Sequence, residues 1–97
     1  MITPRMRLDA KLELIEQWGD HGAHVIAACD NQKPFNGTFT EFMNECTACG
    51  GNWGGMLLSG IKRLFPEVYD AIPDNIGKNA FFTIGDALIL CGVDTTS

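Results

Sequence analysis

The chain has 97 residues, which is the size of one domain, close to the limit at which a single hydrophobic core can support itself. Hydrophobic residues make up 45% of it and charged residues 20%, a balance that excludes a disordered or low-complexity chain. The net charge is -5, from 12 acidic and 7 basic residues. Because no Lys/Arg patch is visible, direct nucleic-acid binding is not expected, and a basic protein surface is the more natural partner.

The N-terminal segment carries Arg5 and Arg7 with no uninterrupted apolar run behind them. It is therefore predicted to be neither a secretory signal nor a membrane span, and a cytoplasmic location is expected. In that reducing compartment the four cysteines are expected to be thiols or metal ligands rather than disulfides.

The first predicted helix runs from about residue 6 to 18 and ends at Gly19. Its apolar face is predicted from helical spacing, with acidic residues on the other side. The apolar set is Leu8, Leu12 and Ile15 with Leu14 and Trp18 beside them, and the acidic set is Asp9, Glu13 and Glu16. A short second helix is predicted around residues 25–29, followed by a loop over 31–37 that contains Pro34 and Gly37.

A third helix is predicted from a capping box, in which Thr38 or Thr40 is the N-cap and Glu41 lies three residues after Thr38, and it ends at Gly50-Gly51. Asn52 is predicted to cap a fourth helix that Pro66 stops, and residues 66–72 can add one or two turns. Asn79 is predicted to cap a last helix that is apolar nearly all round, and therefore central, with Gly92 at its end. With no alternating strand pattern, the predicted fold is all-α: residues 1–97 form one domain, a compact bundle of five or six short helices.

Two pairs of metal-ligating residues stand out, His21-x-x-His24 and Cys46-x-x-Cys49. The segment CTACGG at 46–51 resembles the Cys-x-x-Cys-Gly pattern of zinc knuckles, although it lacks the proline often found there. Two sulfurs and two nitrogens are a ligand set that tetrahedral zinc prefers. We predict one structural zinc held by His21, His24, Cys46 and Cys49, which would join two helices and contribute folding free energy. Cys29 is the alternative to one histidine.

The same residues have a simpler interpretation, in which Cys46 belongs to the core and the two histidines are exposed. Cys91, in the most apolar helix, is predicted to be core. A thioredoxin-type redox centre needs its Cys-x-x-Cys at a helix N-terminus in a β-rich fold, and a zinc deaminase needs a His-x-Glu that this chain lacks. No oxyanion-hole motif, phosphate-binding loop or carboxylate pair indicates a substrate, so we predict that the chain is not an enzyme.

An acidic helical chain of this length, with "HGAHV" and "CTACGGNW" as a small metal site, resembles the anti-CRISPR proteins of phages and mobile elements, some of which are compact, acidic, metal-containing inhibitors of Cas9. The resemblance is one of type, because those proteins share no motif. It implies stoichiometric binding to Cas9 that blocks guide or target-DNA engagement, and Cas9 has positively charged channels that suit an acidic partner. The acidic face of the first helix is the predicted contact surface.

Two other functions are compatible with the same residues. One is a zinc-stabilised interaction module or regulator unrelated to CRISPR. The other is a small-molecule sponge, in which the segment GGNWGGM at 50–56 lines a pocket.

Overall fold

The protein is described by a computed structural model over residues 1–46, 53–76 and 80–96. In these ranges it contains six helices joined by short connections, which confirms the predicted all-α bundle. The helices are α1 (Pro4–Trp18), α2 (Asp20–Asp30), α3 (Phe39–Cys46), α4 (Trp53–Leu64), α5 (Pro66–Ala71) and α6 (Ala80–Leu90). None of the helices in the described ranges is long and apolar enough to cross a membrane. The predicted caps Asn52 and Asn79, and the predicted helix end at Gly50-Gly51, lie outside these ranges.

A pair of very short strands was not predicted from the sequence. Strands β1 (Gly37–Thr38) and β2 (Val93–Asp94) pair in parallel, with Gly37 opposite Val93. Gly92 has a φ of +94°, which turns the chain after α6 and directs it along the loop before α3. The sequence carried no strand signal because a two-residue strand cannot show an alternating pattern.

Helices α1 and α2 are joined by the single residue Gly19 and pack against each other. The Thr3 hydroxyl caps α1 by accepting a hydrogen bond from the Met6 N–H at 3.1 Å, and Pro4 occupies the first turn. The helix ends at Gly19, whose φ is +56°, as the sequence predicted. Gly22 then permits close approach, because a Cβ at this position would lie 2.2 Å from the Leu14 carbonyl oxygen.

The core is built around α6, in agreement with its apolar sequence. Helix α6 contacts α1, α2, α4 and β2, and more than half of its residues are buried. The buried residues of α6 are Ala80, Thr83, Ile84, Ala87, Leu88 and Leu90. Removing this much apolar surface from water is the main source of stability for a domain of this size.

The predicted apolar face of α1 is buried only in part. Leu14 is fully buried and Trp18 is half-buried, and Ala10 is buried with them. The stripe formed by the other three predicted residues is on the surface, because Leu8, Leu12 and Ile15 are 51%, 58% and 49% exposed. Helix α1 packs against α2 and α6 through the side that carries Ala10 and Leu14. The backbone of α2 approaches this side closely at Gly22.

Candidate functional site

The predicted zinc ligands lie on two different helices. His21 and His24 are exposed at the start of α2, with ring centroids 6.5 Å apart and ring planes nearly perpendicular. Cys46 is fully buried at the end of α3, where a Cβ on Gly60 would lie 2.6 Å from its Sγ. Burial raises the pKa of the Cys46 thiol, and the positive charge of Arg63 partly offsets this effect. Cys49 lies outside the described residues.

The packing of these helices does not bring the histidines and Cys46 together. Helix α2 contacts α1, α5 and α6, whereas α3 contacts α4 and the two strands. Within residues 1–46, 53–76 and 80–96, no group of three or more His, Cys, Asp or Glu could hold a metal ion. The zinc centre remains a prediction, because one of its four ligands is outside the described part of the chain.

A different pair of cysteines is in contact. The Sγ atoms of Cys29 and Cys91 are 3.3 Å apart, and both residues are buried. From the sequence, Cys29 is predicted only as a substitute zinc ligand and Cys91 only as a core residue. No spacing rule could have indicated this pair, because the two residues are 62 positions apart and meet only when α2 packs on α6.

An apolar cleft lies beside α6, and we call it the Asp86 cleft. Its volume is about 350 Å³, and it is lined by Phe39, Phe81, Phe82, Gly85, Asp86, Leu88, Ile89 and Thr95. Phe82 is 77% exposed and Phe81 42% exposed, which is unusual for phenylalanine. A Cβ added at Gly85 would meet no heavy atom within 4 Å, so the absence of a side chain there keeps the cleft open.

The carboxyl group of Asp86 is repelled by neighbouring acidic side chains. This group is partly buried, and desolvation, followed by the negative charges of Glu13 and Asp9 on α1, raises its pKa to about 6. The packing of α6 on α1 therefore places three carboxylates near one another. Arg5 on α1 donates a hydrogen bond to Asp9 at 3.1 Å, but this pair is solvent-exposed and contributes little. A cation that entered the cleft would relieve the remaining repulsion.

The outer surface of α1 continues this acidic region. Asp9, Glu13 and Glu16 share one face of the helix, and the exposed stripe of Leu8, Leu12 and Ile15 lies about 100° around the helix axis from them. The acidic face predicted from the sequence as a contact surface is thus next to the Asp86 cleft on one side and next to exposed leucines on the other. We call Asp9, Glu13 and Glu16 the acidic face of α1.

The lining of the Asp86 cleft is suited to binding a side chain. Its walls are aromatic and aliphatic, its polar groups are one carboxyl and one hydroxyl, and its volume is sufficient for one or two side chains. An arginine or lysine side chain fits this arrangement, because its apolar stem can pack on phenylalanine while its charged end pairs with a carboxylate.

Comparisons of this chain with protein-family models, with curated proteins and with solved structures found no match.

Proposed function

We propose that this chain acts without catalysis, by binding a basic surface of another protein through the Asp86 cleft and the acidic face of α1. The observation that carries the proposal is the position of Asp86. It is a carboxylate in an aromatic cleft, with a pKa raised to about 6 by burial and by Glu13 and Asp9, and with an open space beside it at Gly85. Such a site is unfavourable for the free protein and becomes favourable when a cation binds.

The exposed aromatic residues would supply most of the binding free energy. Complete burial of one phenylalanine side chain contributes roughly 1.5–3 kcal/mol, and Phe82 has most of its surface available for contact. Buried aromatic residues beside a charged pair are typical of the few residues that dominate protein interfaces. The net charge of -5 would increase the association rate with a basic partner, and this contribution would decrease with added salt.

The specific partner we propose is Cas9, in the cytoplasm of the host cell. Cas9 has basic channels that hold nucleic acid, and the acidic surface of this protein could occupy them. The protein would then be an anti-CRISPR that blocks guide or target-DNA engagement by stoichiometric binding. An interaction module with another basic partner is the alternative that the same surface supports.

The test uses two variants at the same residue. Gly85→Leu would fill the Asp86 cleft, whereas Gly85→Ala adds a single methyl group to space that is open. We expect wild type and Gly85→Ala to form a complex with Cas9 on a sizing column at modest salt and to protect phage from Cas9. We expect Gly85→Leu to lose at least tenfold in affinity, since 1.4 kcal/mol of lost contact is enough for that change.

Two results would contradict these proposals separately. If the wild-type protein neither binds Cas9 nor protects phage, the anti-CRISPR function is wrong. If wild type binds Cas9 and Gly85→Leu, correctly folded by circular dichroism, binds equally well, the Asp86 cleft is not the contact surface.

A further inference from the structure

The contact between Cys29 and Cys91 joins two distant parts of the chain. Cys29 lies near the end of α2, and Cys91 directly follows α6. The backbone of Cys91 is held on both sides, because its N–H donates to the Ala87 carbonyl at 3.0 Å and its carbonyl accepts from the Phe35 N–H at 2.8 Å. The Sγ separation of 3.3 Å exceeds a disulfide bond length of about 2.05 Å by little more than 1 Å, so small side-chain rotations could close it.

One of the two thiols borders an opening to solvent. A cleft of about 400 Å³ is lined by Ile2, Arg7, Cys29, Asp30, Gln32, Pro34, Asn36, Leu90 and Gly92. Cys29 forms part of its wall and is 5% exposed, whereas Cys91 lies behind it with no exposed surface. A reagent in this cleft could therefore reach Cys29 before Cys91.

The lining of this cleft suits a reagent that carries carboxylates. Arg7 supplies a guanidinium group, which also donates to the Leu90 carbonyl at 3.5 Å. The side-chain nitrogen of Gln32 is buried and has no hydrogen-bond partner. Asp30 is the one carboxylate in the lining of this cleft, which it shares with Arg7. A cation and an unpaired amide donor are groups that can bind the carboxylates of an incoming anion.

From this arrangement we infer that Cys29 and Cys91 are a reversible dithiol–disulfide pair, oxidised by a low-molecular-weight disulfide that bears carboxylates, with Cys29 as the entry thiol. In the first step the Cys29 thiolate attacks one sulfur of the small disulfide, forms a mixed disulfide and releases one small thiolate. In the second step Cys91 loses its proton and attacks the Cys29 sulfur, which forms the Cys29–Cys91 bond and releases the second small thiolate. One small disulfide is reduced to two thiols, and the two protons come from the protein.

The hydrogen bonds of the pair agree with this order of steps. The contact with Cys29 is the largest of the causes that raise the pKa of Cys91, and burial is the next. Cys91 therefore keeps its proton while Cys29 is free, and the Cys29 thiol has the Ala87 carbonyl as a further partner at 3.9 Å. The positive charge of Arg7 acts in the opposite direction and lowers the pKa of Cys91.

The first experiment treats the folded wild-type protein with oxidised glutathione, blocks the remaining thiols by alkylation, and maps disulfides by proteolysis and mass spectrometry. We expect a Cys29–Cys91 peptide, reversal by dithiothreitol, and an increase in melting temperature of about 10 °C or more, because the bond closes a loop of more than 60 residues. A protein in which Cys29 and Cys91 both remain alkylated after this treatment would overturn the inference.

The second experiment separates the two thiols with matched variants. Cys91→Ser should retain one glutathione on Cys29, whereas Cys29→Ser should acquire none on the buried Cys91. A double variant, Cys46→Ala with Cys49→Ala, is the control and should still form the Cys29–Cys91 bond. Trapping of glutathione on Cys91 rather than on Cys29 would contradict the assigned order.

Discussion

At the scale of single residues, Asp86 shows how an ordinary side chain acquires an unusual property from its neighbours. Its position in α6 carries no special signal, since one aspartate in an apolar helix can be a solvated residue. Only the packing of α1 on α6 brings Glu13 and Asp9 near it and removes part of its surface from water. Both effects oppose ionisation.

Replacing Asp86 by asparagine is expected to stabilise the protein at neutral pH. The folded-state pKa of about 6 is above the ordinary value of 3.8, so the wild-type protein loses stability as the pH rises through this interval. Asp86→Asn should therefore be more stable than wild type above pH 6, by about 1 kcal/mol once partial solvent exposure is taken into account. Near pH 4 the difference should disappear. Urea denaturation at several pH values measures it.

The control for this prediction is Asp70→Asn on the exposed surface of α5, which should change stability by less than about 0.5 kcal/mol. A loss of stability in Asp86→Asn at neutral pH would show that the carboxylate has a favourable partner in the fold.

At the scale of elements, α1 is a helix whose existence was predicted correctly and whose buried face was predicted only in part. Its cap, its length and its end at Gly19 follow from local residues. Its buried face depends on which side α2 and α6 occupy, and the close approach at Gly22 and Leu14 decides this. An apolar stripe at helical spacing predicts a helix, but it does not indicate which of its residues the neighbouring helices cover.

Two leucines of α1 test this assignment directly. Leu14→Ala should cost about 2–5 kcal/mol, because it removes a fully buried side chain and leaves a cavity. Leu12→Gln should change stability by less than about 0.5 kcal/mol, because Leu12 is more than half exposed. Chemical denaturation of both variants gives the comparison. Equal losses would mean that both faces of α1 are covered, as they would be in an oligomer.

At the scale of the whole molecule, the open question from the sequence is the zinc centre. Helices α2 and α3 do not contact each other in the described ranges, and Cys46 is in the core. A zinc with all four predicted ligands would therefore have to draw the two helices together and move Cys46 from its buried position.

The zinc prediction is tested by elemental analysis of protein purified without a metal-affinity step. If zinc is bound, we expect one ion per chain and a lower melting temperature after chelation, since metal binding contributes folding free energy. His21→Ala should then destabilise the protein, although substitution of an exposed helical residue ordinarily costs less than about 0.5 kcal/mol. A metal content near zero, together with His21→Ala melting like wild type, would show that the histidines are surface residues.

The amino-acid sequence is sufficient to predict an all-α domain, the end of α1 at Gly19 and the central place of α6, because glycines and apolar content act over a few neighbouring residues. The Cys29–Cys91 contact, the exposed stripe of α1 and the carboxylates around Asp86 could not be predicted in this way. Each depends on residues distant in the chain that meet only when helices pack, and the packing side is selected by steric fit over the whole core.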